Sequence, residues 1–319
     1  MKYYLGIDTS AYTTSLCAVD GAGRVIGEAR KVLTVPRGKQ GLRQSEAVFQ
    51  HVQNLPLAAE GLREQMGGDW QIAAVAATTA PRPHPGSYMP VFVPGTCFGR
   101  AFAQLAGARF YELSHQENHL LSGMYDSGMP QVPRFLAIHL SGGTTELMDV
   151  AAESGSRLRI SLLGATADLH AGQFVDRIGV ALGLPFPAGP ELEKLASRSA
   201  SAITVPSVHK EGQVSFSGPL TALLNHVGKA DAGAVALGCL QCIARTLVKW
   251  IRWAEAGVDC RDALVVGGVA ANGIIRDILR TKLPHWRLYF ASPRYSTDNA
   301  LGAALFALDA DQNEGKRQN

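Results

Sequence analysis

A chain of 319 residues with 46% hydrophobic and 18% charged residues, 34 Gly and 16 Pro can bury about three quarters of its unfolded surface, which excludes a disordered, collagen-like or metal-dependent miniprotein class. Thirty Lys plus Arg against 27 Asp plus Glu leave a formal charge of +3, too small to define a nucleic-acid surface without a local patch. The five cysteines, Cys17, Cys97, Cys239, Cys242 and Cys260, are odd in number and widely spread, against a disulfide framework. Cys239-Leu-Gln-Cys242 sits in an Ala/Leu-rich helical pattern and reads as buried helix, since a second cysteine pair is missing. Met1 to Asp8 lacks the basic region, apolar run and cleavage site of a signal peptide, and no uninterrupted apolar segment approaches 18 residues. A soluble cytoplasmic protein without a membrane partner is expected.

In chain order, Tyr3 to Asp8 reads as a strand, Gly6 to Ser15 as a polar turn, Leu16 to Val19 as a second strand and Arg24 to Val35 as a third. Ser45 to Met66 contains an amphipathic helix, and Gln71 to Thr78 is a short apolar strand. Pro81 to Pro90 carries prolines too closely spaced for regular helix and is a loop. Thr96 to Ala108 is a helix, Arg109 to Glu112 a strand and His115 to Tyr125 a helix. Phe135 to Leu140, the turn Ser141-Gly-Gly-Thr-Thr145 and Glu146 to Val150 then repeat the opening strand, loop, strand plan, followed by a strand over Arg157 to Leu162. Two related α/β halves are expected. Helices over Thr166 to Leu182, Glu191 to Ser197, Pro219 to Val227 and Ala230 to Ala256, a strand over Ala263 to Val266 and a late helix over Ala300 to Asp309 complete the chain. Residues from Asp311 onward are expected to fray.

His115-Gln-Glu-Asn-His119 puts two imidazoles on one helix face at i,i+4 spacing, where each can offer a nitrogen to a metal or, as is commoner for such a pair taken alone, serve a surface or capping role. Gln116 stands where a zinc-protease HExxH motif has its glutamate, so the helix lacks that general base and peptidase chemistry is poorly supported. The Thr297-Asp298-Asn299 loop holds an acidic residue able to complete a ligand set. The turns around Thr9-Ser10 and Ser141-Gly142-Gly143-Thr144 offer amides and hydroxyls to phosphate oxygens, or are tight structural turns. Val265-Val-Gly-Gly-Val-Ala-Ala-Asn272 delivers two glycines, Gly267 and Gly268, beside a helix start, with room for a flat ligand such as adenosine and Asn272 nearby, or is a strand-to-helix packing turn. Phe98, Phe102, Trp250 and Trp253 recur at helical spacing and read as packing faces before RNA-stacking platforms. Arg177, Arg198, Lys210, Arg276, Arg280, Lys282, Arg287 and Arg294 fit either a positive groove or an ordinary solvated surface.

Taken together, Leu5-Gly-Ile-Asp-Thr-Ser10, Ser114-His-Gln-Glu-Asn-His119, Leu140-Ser-Gly-Gly-Thr144, Gly172-Gln-Phe-Val-Asp176, Leu184-Pro-Phe-Pro-Ala-Gly-Pro190, Ser215-Phe-Ser-Gly218, Gly267-Gly-Val-Ala-Ala-Asn272 and Ser296-Thr-Asp-Asn299 resemble the glycoprotease-like family that transfers a threonylcarbamoyl group to tRNA adenosine. The resemblance implies a duplicated RNase H-like α/β fold of the actin-like ATPase superfamily. Expected boundaries are 1–110 for the N-terminal lobe, 111–299 for the metal-binding helices and C-terminal lobe, 300–310 for a terminal helix packed back on the first lobe, and 311–319 for a flexible tail. It further implies that His115, His119 and Asp298 hold one divalent ion, iron or zinc. Leu140, Ser141, Gly142 and Gly143 would approach phosphate and carbonyl oxygens, with Ser10, Thr144 and Gly268 lining the site, while Asp176, Gly189 and Asn272 would bind the adenosine of an adenine nucleotide or threonylcarbamoyl-adenylate. The implied partners are tRNA, a small ATPase and an inactive paralogue, or a second copy of the chain.

The departures from the family pattern concern acid–base groups. Tyr12-Thr13 stands where the family has an acidic pair, Thr144 replaces a histidine, Leu169 an aspartate, Gln173 a glutamate, and Pro219-Leu220 replaces Leu-Lys. Three readings follow: a metal-dependent threonylcarbamoyltransferase, a divergent carbamoyl-type transferase in which Asp8, Asp168 or a metal-bound water takes the missing acid–base role, and a noncatalytic nucleotide-binding subunit.

Overall fold

The computed structural model describes residues 1–10, 12–35, 42–153 and 157–317. They fall into two compact units, Met1–Asp126 with Ala152–Arg159 and Thr297–Asn319, and Ser127–Ala151 with Ile160–Ser296. The first unit contains β1 (Lys2–Ser10), β2 (Thr13–Asp20), β3 (Val25–Val32), α1 (Gln44–Met66), β4 (Gln71–Ala80), α2 (Phe92–Ala106), β5 (Arg109–Ser114) and α3 (His115–Ser127). The second contains β6 (Arg134–Leu140), β7 (Thr145–Ala152), β8 (Leu158–Ala165), α4 (Ala171–Ala181), α5 (Gly189–Ala196), β9 (Val208–Lys210), β10 (Gln213–Ser215), α6 (Ser217–Leu224), α7 (Ala232–Ala254), β11 (Asp262–Val266), α8 (Gly273–Lys282), β12 (Arg287–Phe290) and α9 (Pro293–Ser296). The last helix, α10 (Leu301–Arg317), returns to the first unit.

The two larger sheets share one plan. The first runs β3-β2-β1-β4-β5 and the second β12-β11-β6-β7-β8. In each, the leading strand pairs antiparallel with the next strand in sequence and parallel with the strand that follows a helical connection. The duplicated α/β plan is therefore present at the level of strand order, where residue identity between the halves is weak.

Strand alternation decides what each face of β1 carries. Tyr3, Leu5 and Ile7 join a core with Leu55, Ala58 and Leu62 of α1 and Ala103 of α2. Gly6, on the other face, meets α10 so closely that a Cβ built there lies 2.1 Å from the Ala300 carbonyl oxygen and 2.4 Å from the Ala304 nitrogen. Asp8 follows Gly6 by two residues and so shares the face toward α10. In the second unit α7 is the central core helix, N-capped by Asp231 through the Ala234 amide at 2.8 Å. By length and composition α7 is apolar enough to cross a membrane, but 78% of its apolar window is buried within the protein. Cys239 and Cys242 are buried on it as free thiols, as the helical reading of that pair expects.

Several expected boundaries move, each for a local reason. The polar turn over Gly6 to Ser15 shrinks, because β1 extends to Ser10 and β2 begins at Thr13; Ala11 lies outside the described residues. Helix α2 starts at Phe92 rather than Thr96, with Pro94 in the first turn, where its missing N–H leaves no helical bond unmade. Helix α4 starts at Ala171 rather than Thr166, because Thr166 bridges to Val214 and the Gln173 side chain accepts from the His170 amide as a cap. The expected lobe boundary at residue 110 falls after α3, which is hydrogen-bonded to the start of α10. The expected frayed tail is helix to Arg317, anchored by Arg109 donating to Asp311 at 2.8 Å; residues 318–319 lie outside the described residues.

The close approach at Gly6 makes a direct test. Gly6→Ala is expected to cost about 3 kcal/mol in urea unfolding, as overpacking against backbone does, while Gly21→Ala, with nothing within 4 Å of its built Cβ, serves as the neutral control.

Candidate metal centre

One turn of α3 separates His115 from His119, and their Nε2 atoms approach to 3.0 Å. Asp298 Oδ1 lies 3.4 Å from His119 Nε2 and 3.7 Å from His115 Nε2. The circumcentre of that triangle is roughly 2.0 Å from each corner, the length of a zinc–nitrogen or zinc–oxygen bond. Among the described residues these three form the one cluster of His, Cys, Asp and Glu side chains with metal-ligand spacing, and all three belong to the first unit. Two imidazoles and a carboxylate suit zinc or ferrous iron.

Asp298 reaches the histidines because a buried polar clasp ties its segment to α3. Asn118 Nδ2 donates to the Asn299 carbonyl at 2.6 Å, and Asn118 Oδ1 accepts from the Ala303 amide at 2.8 Å. Ser122 donates to Asn299 Oδ1 and accepts from the Gly302 amide, both at 2.8 Å. Gly302 permits this approach, since a Cβ there would lie 2.1 Å from the Asn118 carbonyl oxygen. Asn118, Ser122 and Asn299 are fully buried. None was singled out from sequence as a site residue; the available signal was polar residues interleaved with the histidines on a helix otherwise packed as core.

Behind the histidines lies a second carboxylate. Asp8 is fully buried and accepts from Thr78 Oγ1 at 2.7 Å, Ser10 Oγ at 2.6 Å and His115 Nδ1 at 2.9 Å. Burial disfavours the imidazolium of His115, but Asp8 and Asp298 outweigh it and raise its pKa to about 9. Burial likewise opposes ionisation of Asp298, yet His119 and His115 hold it well below the usual carboxylate range. The cluster therefore favours positive charge at its centre. Ser10, expected in a phosphate-facing turn, is a buried strand residue whose hydroxyl donates to Asp8. Asp8, expected as an acid–base group, has its oxygens taken by protein donors. His51 of α1 packs nearby with Nδ1 2.8 Å from Thr14 Oγ1, and burial lowers its pKa.

The remaining expected site residues lie in the second unit. Ser141 Oγ accepts from the amides of Gly143 and Thr144 at 3.3 and 3.0 Å, so these two amides close the turn on Ser141. Gly142 and Gly143 have open space at their built Cβ positions, while Gly172 of α4 could carry no side chain, with the Gly142 nitrogen 2.6 Å away. Gly267, with φ 97°, packs on the Leu140 carbonyl oxygen, 2.2 Å from a built Cβ; Gly268 has open space. Asp176 accepts from the Ala188 amide at 2.8 Å beside Gly189, and Asn272 Oδ1 caps α8 at the Ile275 amide. Glu193, missed in sequence, accepts from the Gly273 amide at 2.7 Å and ties α5 to the Gly268–Asn272 turn. Of the eight basic residues set aside from sequence, Arg287 forms a bidentate pair with Asp262, and Arg276 donates to the carbonyls of Ala270 and Ala291. The contacts of those two help hold the fold.

Asp168, the second expected acid–base residue, accepts from Ser215 Oγ at 2.5 Å, the Phe216 amide at 3.0 Å and the Ser217 hydroxyl. Burial opposes its ionisation, but these donors depress its pKa far below the ordinary 3.8, so it locks β10 to the start of α6 instead of presenting a base. A depressed carboxylate stabilises the fold above its unfolded pKa and loses that contribution as pH falls. Asp168→Asn should therefore lower stability by about 1 to 2 kcal/mol at pH 7, the low end for charge-assisted bonds at a solvent-accessible site. The gap to the parent chain should narrow below about pH 4; a gap that does not change with pH would contradict the assignment.

HypF of T. kodakarensis superposes with a TM-score of 0.62 at 13% identity, covering 98% of this chain and 48% of that one. The Acidaminococcus fermentans (R)-2-hydroxyglutaryl-CoA dehydratase component A superposes at 0.58 and 17% identity, covering 98% and 100%. At such identities the likeness is one of fold alone, an α/β architecture with mixed sheets. In sequence, the tRNA N6-adenosine threonylcarbamoyltransferase of Thermus thermophilus is 33% identical over 310 residues, covering 96% of this chain and 92% of that protein. The protein of the same name from Symbiobacterium thermophilum is 30% identical, covering 93% and 88%. The family profile described as TsaD, tRNA N6-adenosine threonylcarbamoyltransferase, matches residues 30–305, and the chain belongs to that family.

Proposed function

We propose that this protein transfers a threonylcarbamoyl group from threonylcarbamoyl-adenylate to N6 of a tRNA adenosine, assisted by one divalent ion, iron or zinc. The observation that carries the reading is the triangle of His115, His119 and Asp298, sized for a divalent ion on a chain of this family. An ion held there supplies Lewis acidity to a carbonyl or phosphoryl oxygen. In the transfer, the adenosine nitrogen bonds to the carbamoyl carbon, the carbon–oxygen bond to the adenylate phosphate breaks, AMP leaves and the amine sheds one proton.

The residues of the chain bind and orient. Asp298 and the two histidines fix the ion's position, and the clasp of Asn118, Ser122 and Asn299 fixes theirs. The segment Leu140, Ser141, Gly142, Gly143 and Thr144, with Gly268, Asn272, Asp176 and Gly189, receives the adenylate: close backbone approach suits phosphate, and the Asn272 side chain suits the nucleoside. tRNA, a small ATPase and an inactive paralogue are the partners this reading calls for, with a second copy of the chain as the alternative.

A second reading, nucleotide binding without turnover, draws support from the acid–base groups. Tyr12 and Thr13 bear no carboxylate, and the oxygens of Asp8 and Asp168 are committed to protein donors. Incubating metal-reconstituted protein with radiolabelled threonylcarbamoyl-adenylate and unmodified tRNA separates the two. The transferase reading expects acid-precipitable label in tRNA, lost in His115→Ala/His119→Ala; folded protein that binds the adenylate and labels no tRNA would favour the noncatalytic role.

A further inference from the structure

Asp8 occupies an unusual position: a carboxylate at the end of a central strand, fully buried, with each oxygen accounted for. Oδ2 accepts from the Ser10 hydroxyl at 2.6 Å, and Oδ1 is shared between the Thr78 hydroxyl at 2.7 Å and His115 Nδ1 at 2.9 Å. Ser10 lies two residues along the same strand, and Thr78 comes from β4, the parallel neighbour of β1. The donors are thus built into the sheet itself and hold the carboxylate before α3 is considered. An ionised carboxylate is acceptor-only, so the hydrogen between Asp8 and His115 belongs to Nδ1. In a neutral imidazole the other nitrogen then keeps its lone pair. That nitrogen, Nε2, is the atom that faces His119 Nε2 at 3.0 Å and Asp298 Oδ1 at 3.7 Å. The Phe92 ring, tilted at 5.9 Å from the imidazole, packs beside it.

We propose that Asp8 is a positioning residue for the metal centre, accepting the Nδ1 hydrogen of His115 so that Nε2 is fixed in direction and in tautomer as the ligand atom. The inference rests on the reading of His115, His119 and Asp298 as a metal site and deepens it. A carboxylate behind a ligating histidine raises the basicity of the ligand nitrogen and restricts ring rotation, and removing such a partner commonly lowers metal affinity about 10- to 100-fold. It also assigns Asp8 a task that excludes proton transfer to or from substrate, since no oxygen of the buried carboxylate is left for a reacting group.

Asp8→Asn is nearly isosteric and removes the charge, keeping a side-chain oxygen to accept from Nδ1. Zinc affinity measured by chelator competition, on variant and parent of matched circular dichroism, is expected to fall about 10- to 100-fold, and the visible spectrum of the cobalt-loaded variant should shift. A merely structural role would lower the unfolding midpoint and leave zinc affinity and the cobalt spectrum unchanged, which would overturn the proposal. Should Asp8→Asn fail to fold, nitrogen-15 spectra of the zinc-loaded parent chain decide the matter: the proposal expects His115 protonated at Nδ1, and a zinc-bound Nδ1 contradicts it. Failure of the parent chain to bind zinc or cobalt at all would instead remove the metal reading on which the inference stands.

Discussion

The clasp between α3 and the start of α10 is the constraint on which the candidate site depends. Residues 118 and 299 are far apart in sequence, and their meeting is made by side chains that replace backbone partners on both sides: Asn118 supplies a donor to the Asn299 carbonyl and an acceptor to the Ala303 amide. Ser122 and the Asn299 side chain complete the exchange. Buried polar groups of this kind cost free energy unless each is satisfied, and satisfied networks specify one arrangement. Here the arrangement sets Asp298 opposite two histidines that helical periodicity alone had already put on one face.

The sheet supplies the other half of the geometry. Period-two alternation sends Leu5 and Ile7 to the α1 and α2 core, and leaves Gly6 and Asp8 for the side covered by α10. Gly6 lets that helix approach, and Asp8 arrives behind His115 with its own donors in place. Two carboxylates and two imidazoles then share a small, partly buried volume, and the carboxylates Asp8 and Asp298 raise the pKa of His115 against the opposing effect of burial.

Much of this was readable from the residues. Helical spacing paired His115 with His119, the acidic loop at Asp298 was identified as a completing ligand, and the repeated strand, loop, strand plan foretold two related halves. What could not be read depends on register between distant segments. Nothing local to Asn118 or Ser122 says that they face α10, and nothing local to Glu193 says that it reaches Gly273. Ser10 reads as part of a polar turn because short polar residues usually favour turns; antiparallel pairing with Thr13 of β2 draws it into the sheet. Asp168 looked free to act as a base because its serine and amide partners come from residues 215 to 217, beyond any sequence window. The replacement of glutamate by Gln173 at the cap of α4 is accommodated, since capping the His170 amide needs only an acceptor oxygen.

The proposed chemistry depends on a divalent ion held by His115, His119 and Asp298. X-ray absorption at the zinc edge of the reconstituted chain, with metal content measured after gel filtration, tests this most directly. The expected result is one zinc per chain in a coordination sphere of nitrogen and oxygen only, with two imidazoles and metal–ligand distances of about 2.0 Å. Retention of no metal, or sulfur in the coordination sphere, would contradict it.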